Sequence, residues 1–157
     1  MLAVLQRVRE ATVAVEGCTV GSIGKGMVAL LCAVKDDADR DVDYLVRKIS
    51  QLRIFGDKNG KMNQSVSEAG GSVLLVSQFT LAASVRKGNR PSFENAESPE
   101  RARELCEKVV RRLREMGLSV SIGVFGAMME VSLVNDGPVT VIVDSREGRS
   151  AGNAVDR

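Results

Sequence analysis

The sequence predicts a single mixed α/β domain, richer in sheet than in helix, with its β-sheets packed on each other. Three observations carry this. Two segments repeat their apolar residues at helical spacing, and the remaining apolar segments are short and β-branched, so the order is strands, helix, strand, helix, strands. Two helices cannot cover both faces of a large sheet, so sheet must pack on sheet or on a second subunit, and both are expected. The chain has 157 residues, 44% apolar and 27% charged, which is enough for one buried core. No repeat, low-complexity segment or interdomain linker divides it, so residues 1–145 are taken as the domain.

The elements follow in order. "LAVLQRV" and "ATVAVEG" read as two short strands, "CTVGSIGKG" continues with turn glycines, and "MVALLCAV" is a buried strand. In "KDDADRDVDYLVRKISQL" the period changes: Val42, Leu45, Val46, Ile49 and Leu52 share a helical face. Acidic residues crowd its start, and Arg47, Lys48 and Arg53 its end, as the helix dipole favours. "IFGDKNGKMNQS" is a turn-rich connection around Asn59-Gly60. "GGSVLLVSQFTLAA" has the continuous apolar centre of a strand covered on both faces. "SVRKGNRPSFENAE" is a polar, basic loop. "SPERARELCEKVVRRLREMG" is the clearest helix, with Ser98 at the N-cap, Pro99 at the first helical position and Gly117 at the end. Its stripe is Ala102, Leu105, Cys106, Val109, Leu113 and Met116. "SVSIGVF", "MMEVSLV" and "VTVIVD" close the domain as strands, and residues 146–157 are expected to be a disordered tail.

Composition removes several chemistries. There is no histidine, so Ser-His-Asp and Cys-His catalysis are excluded, and with them the commonest zinc ligand. No metal or other cofactor is expected. The three cysteines, Cys18, Cys32 and Cys106, form no CxxC, and Cys32 and Cys106 fall in apolar settings that suit core packing. That fits a reducing, cytoplasmic compartment. The apolar runs are too short to span a bilayer, so no membrane association is expected. The net charge of +2 neither demands nor forbids a nucleic-acid partner, so any such contact must be local.

Four features carry candidate chemistry. "SQFTL" places Ser77, Gln78 and Thr80 around Phe79 at the end of the apolar strand. It reads either as an ordinary strand end or as an acyl-transfer site whose hydroxyls position water and whose backbone N–H groups stabilise an oxyanion. In "NDGPVT", Asp136-Gly137 signals a hairpin, but Pro138 lacks the N–H that would close it. The residues alone define an unusual turn. "RKGNRPSF" clusters Arg86, Lys87 and Arg90, as a solvated loop or a contact to phosphates. Arg7, inside the first apolar strand, either faces water or pairs with something specific.

"SQFTL" and "NDGPVT" together, with "LQRV", "RIFGDKNGKMN", "GNRPSF" and "VSLVNDGPVT", closely resemble the D-aminoacyl-tRNA deacylases over roughly residues 1 to 145. The resemblance implies a compact, barrel-like fold of stacked β-sheets with the two main helices on one side. It implies a homodimer acting on tRNA, not DNA. The implied activity is hydrolysis of the ester of D-aminoacyl-tRNA or glycyl-tRNA, with L-aminoacyl-tRNA rejected. By position, Ser77, Gln78, Phe79 and Thr80 would line the catalytic pocket for the terminal aminoacyl-adenosine. Gly137-Pro138 would be a cis pair reaching into the partner's pocket and rejecting L-amino acids. Asn135 and Thr140 complete that motif, and Arg7 would brace its loop. The lack of histidine suggests assistance from the tRNA 2′-OH, with Thr80 as covalent nucleophile ranked lower. Two rivals remain at this point: a hydrolase of another small ester using Thr80 covalently, and a dimeric RNA-binding module without catalysis.

Overall fold

The computed structural model describes residues 1–150, and no side-chain description extends past Gly148. The strands are β1 (Leu2–Val15), β2 (Cys18–Ile23), β3 (Gly26–Cys32), β4 (Phe55–Gly56), β5 (Met62–Gln64), β6 (Ser72–Ser77), β7 (Val120–Ile122) and β8 (Glu130–Asp144). The long helices are α1 (Asp39–Gln51) and α2 (Pro99–Glu115). A 3-10 turn spans Phe79–Ala82 and a short α3 spans Glu147–Ser150. The expectation of a disordered tail falls mainly on residues 151–157, which lie outside the described residues.

One mixed sheet runs β2-β1-β3-β6-β7, with β8 paired to β1. β3–β6 and β6–β7 are parallel, and the other pairs of this sheet are antiparallel. Along one edge β1 pairs first with β3, over Leu2–Val8, and then with β2, over Ala11–Val15. Its other edge pairs with β8 over nearly its whole length. The sheet curls until β2 meets β7: the Ser121 hydroxyl donates to the Ser22 carbonyl at 2.9 Å. Gly21 permits that seam, because a Cβ there would lie 2.6 Å from the Ile122 carbonyl oxygen. The expected packing of sheet on sheet is thus achieved by one sheet closing into a nearly complete barrel.

The sheet divides two cores. Val8, Ala11, Val13, Ile23, Val28, Leu74 and Val76 fill the barrel interior. Ala3, Leu5, Met27, Ala29, Leu31, Val73 and Leu75 face outward beneath α1 and α2, which contribute Val42, Leu45, Ile49, Leu105, Val109 and Leu113. β3 and β6 feed both cores alternately, which is why each reads as a continuous apolar run.

Two pairs of predicted strands prove to be single strands. "LAVLQRV" and "ATVAVEG" are both β1. Its buried positions run Ala3, Leu5, then Val8, Ala11, Val13, so the alternation changes phase. The pairing with β8 shifts register at that place, between Gln6 and Val8 and again between Val8 and Glu10. One half of β1 faces the helices and the other faces the barrel. "MMEVSLV" and "VTVIVD" likewise merge into β8. "NDGPVT" is therefore no hairpin.

Smaller corrections fall at the helix ends. Ser98 precedes α2, but its side chain makes no capping bond. Met116 is more than half exposed, and the buried stripe takes Val110 in its place. Gly117, at φ +83°, ends the helix as expected. The Met1 amino group is buried against the Asp37 carboxylate at 2.6 Å and the Ser145 hydroxyl at 2.5 Å, tying the start of β1 to the end of β8.

Candidate functional site

Two clusters contain the residues of "SQFTL" and "NDGPVT" together with Arg7, and the basic loop of Arg86, Lys87 and Arg90 belongs to neither. The first surrounds a cavity of about 550 Å³, within the size range of small-molecule sites. β6 delivers Ser77 to its rim and the 3-10 turn delivers Phe79 and Thr80, with Gln78 between. The change of backbone has a visible cause. β6 follows β3 up to the pair Leu31–Ser77 and makes a last bond from the Gln78 N–H to the Leu31 carbonyl at 2.7 Å. Past that point β3 has ended, and the chain coils into the 3-10 turn. The Phe79 and Thr80 N–H groups open that turn and have no backbone acceptor among the described residues.

The Gln78 amide donates to the Thr80 hydroxyl at 2.5 Å. Phe79 is 58% exposed and meets the Phe93 ring edge-on, 5.2 Å between centroids. Glu97 is the single ionisable carboxylate among the lining residues, and its Oε1 accepts from the Ser98 N–H at 2.7 Å.

Two parts of the lining escaped the sequence reading. Cys32 and Cys106, taken as core residues, are buried but border the cavity. Burial raises the Cys32 thiol above its ordinary range and pushes Cys106 up to about 12. Both stay protonated near neutrality, so neither is a ready nucleophile. Another wall is Phe125, Gly126, Ala127, Met128 and Met129, of which "SVSIGVF" and "MMEVSLV" assign Phe125, Met128 and Met129 to strands and leave Gly126 and Ala127 between them. Gly126, at φ +79°, turns the chain there. A glycine between two apolar runs was the available signal.

The second cluster is built on β1 and β8. Thr140 pairs with Gln6 and Asn135 with Val8, so residues 136–139 bulge out opposite Arg7. Gly137-Pro138 is cis within this bulge. Pro138 has no N–H, and a bulged position needs none for the ladder. Arg7 is 15% exposed and holds the bulge from below. Its Nε donates to the Asp136 carbonyl at 3.0 Å and faces the Asp136 carboxylate at 3.0 Å, while a terminal nitrogen donates to the Ile54 carbonyl at 2.6 Å. Asn135 closes the bulge's base, donating to the carbonyls of Arg7 at 2.8 Å and Val139 at 3.2 Å. The Gln6 amide donates to the Thr140 hydroxyl at 3.2 Å. Arg7 therefore pairs specifically rather than facing water.

Within one chain the clusters stay apart. Ser77, Gln78, Phe79 and Thr80 line the cavity, whereas Arg7, Asn135, Gly137, Pro138 and Thr140 do not. β8 reaches the cavity only at Val131, roughly 13 Å along the strand from Asn135.

A family model described as "D-Tyr-tRNA(Tyr) deacylase" matches residues 4–144. A D-aminoacyl-tRNA deacylase of Persephonella marina is 56% identical over 93% of this chain and 99% of its own length. One of Aquifex aeolicus is 54% identical over 94% and 99%. Among solved structures, one titled "c-Myc DNA Unwinding Element Binding Protein" superposes with TM-score 0.86 at 40% identity, covering 92% of this chain and 98% of that one. A probable eukaryotic D-amino acid tRNA deacylase shares the fold, with TM-score 0.76 at 19% identity over 91% and 98%.

Proposed function

The chain belongs to the D-Tyr-tRNA(Tyr) deacylase family, and on that premise we propose how its two clusters divide the work. The activity is hydrolysis of the ester joining a D-amino acid to the 3′ end of tRNA. Glycyl-tRNA is accepted and L-aminoacyl-tRNA is spared. The cavity around Ser77–Thr80 takes the aminoacyl-adenosine. Water attacks the ester carbonyl, the bond to the ribose oxygen breaks, and the proton returns to that oxygen. An aminoacyl ester is already activated, so binding, exclusion and oxyanion stabilisation suffice.

The observation that carries this reading is the surroundings of Thr80. Its side-chain partner is the Gln78 amide, which cannot take up a proton whichever way it is turned. A hydroxyl so placed positions rather than attacks. The Phe79 and Thr80 N–H groups, without a backbone acceptor among the described residues, are suited to a developing oxyanion. The proton then moves through water or the vicinal 2′-OH of the substrate.

Chirality is assigned to the Gly137-Pro138 bulge of a second copy. A rigid wall rejects the wrong enantiomer by overlap, and Arg7 and Asn135 make the bulge rigid. The homodimer is supported by β8, whose outer edge pairs with nothing among the described residues and which exposes Val134 and Ile142.

The test is deacylation of D- and L-aminoacyl-tRNA by the pure protein in EDTA. Cleavage of the D-ester alone is expected. Equal cleavage of both would remove the chiral role, and dependence on added metal would remove the proposed chemistry.

A further inference from the structure

The basic loop after the 3-10 turn is absorbed by none of the roles above. Residues 84–92 carry Arg86, Lys87 and Arg90 and no acidic residue, in a protein of net charge only +2. None of the three makes an ion pair among the described residues. The loop is tied at its base. Ser84 and Ser92 exchange both backbone hydrogen bonds, at 2.8 and 2.9 Å, and Gly88 turns the tip at φ +75°.

That tie anchors the base of the cation-bearing loop beside the cavity. On one side Ser84 follows the turn that carries Phe79 and Thr80. On the other, Phe93 comes directly after Ser92 and packs edge-on against Phe79. The chain then docks on β3's end, where the Lys35 N–H donates to the Asn95 carbonyl at 3.0 Å and the Glu97 N–H to the Ala33 carbonyl at 3.1 Å, and Ala96 and Glu97 line the cavity. Phe93 keeps 37% of its surface exposed at this mouth. Uncompensated cations beside an exposed ring form the combination that grips single-stranded nucleic acid: charges for phosphates and a ring for a base.

We propose that loop 84–92 and Phe93 bind the single-stranded 3′ tail of the tRNA next to its terminal nucleotide. Arg86, Lys87 and Arg90 take backbone phosphates, and Phe93 stacks on a base. This rests on the deacylase reading of the cavity and adds the path by which the substrate strand leaves it.

The test compares D-aminoacyl-tRNA with D-aminoacyl-adenosine, which has no phosphate and no neighbouring base. One variant combines Arg86→Glu, Lys87→Glu and Arg90→Glu, and the other is Phe93→Leu. The triple variant should raise KM for the tRNA substrate about tenfold or more at low salt and flatten the log–log salt slope by roughly 2, about 0.7 per lost phosphate contact. Phe93→Leu should lose about tenfold on the tRNA substrate with little change in salt slope. Both should cleave D-aminoacyl-adenosine as the wild type does. Equal loss on both substrates, or none on tRNA, overturns the proposal. If the wild type cleaves neither substrate, the deacylase reading fails, and binding of uncharged tRNA decides the loop: weaker binding by both variants supports it, unchanged binding rejects it.

Discussion

Thr80 and Arg7 are both polar residues in apolar strand sequence, and their partners separate their roles. Among the described residues the side-chain partner of the Thr80 hydroxyl is the Gln78 amide, and Thr80 therefore has a positioning rather than a nucleophilic role in the proposed reaction. Thr80→Ala is expected to retain deacylase activity within about tenfold, the size of a lost positioning contact rather than of a lost nucleophile. Single-turnover assays check this, and an acyl group trapped on Thr80 would refute it. Arg7 bonds two carbonyls from different segments through its planar fork, which a lysine cannot copy. Arg7→Lys should cost about 1–3 kcal/mol of stability, measured by urea unfolding, and should raise cleavage of L-aminoacyl-tRNA relative to D. Unchanged enantioselectivity would detach Arg7 from the chiral wall. The sequence marked Arg7 as anomalous, but its acceptors at Ile54 and Asp136 lie far away in the chain, so their identity was not legible locally.

Among the elements, β3 and β6 were the most legible, because burial on both faces leaves a continuous apolar signature. α1 was legible from its period and charge placement; the Asp41 carboxylate accepts from the Ala38 N–H at 2.9 Å, at the acidic end. β1 and β8 were misread as pairs of strands for one reason. A bulge breaks the alternation without ending the pairing, and in sequence the two events look alike. Close packing of backbones leaves a clearer prediction. A Cβ on Gly26 would lie 1.9 Å from the Ser72 carbonyl oxygen, where β3 meets β6, whereas one on Gly24 would meet nothing within 4 Å. Gly26→Ala should therefore destabilise by about 1–3 kcal/mol or more, and Gly24→Ala by far less. Paired thermal melts check the difference, and equal effects would contradict the packing described.

In the whole molecule, the two clusters occupy one chain without sharing a cavity, and β8 carries the second of them along an edge that is unpaired among the described residues. In the proposed homodimer this surface is the interface, and each bulge is proposed to serve a neighbour's pocket. Val134→Lys combined with Ile142→Lys, at positions 45% and 78% exposed, should convert the protein to a monomer in sedimentation and abolish discrimination between D- and L-esters. A variant that stays dimeric with full discrimination would move the interface elsewhere. The sequence by itself determined the helices, the doubly covered strands, the absence of histidine chemistry and the two motifs, because period and residue type are local properties. Only the tertiary structure decided that the sheet closes at Gly21, that Cys32, Cys106 and the Phe125–Met129 wall border the cavity, and that "NDGPVT" is a bulge clamped by Arg7. Those outcomes depend on strands distant in sequence meeting in register, and no local pattern specifies a partner.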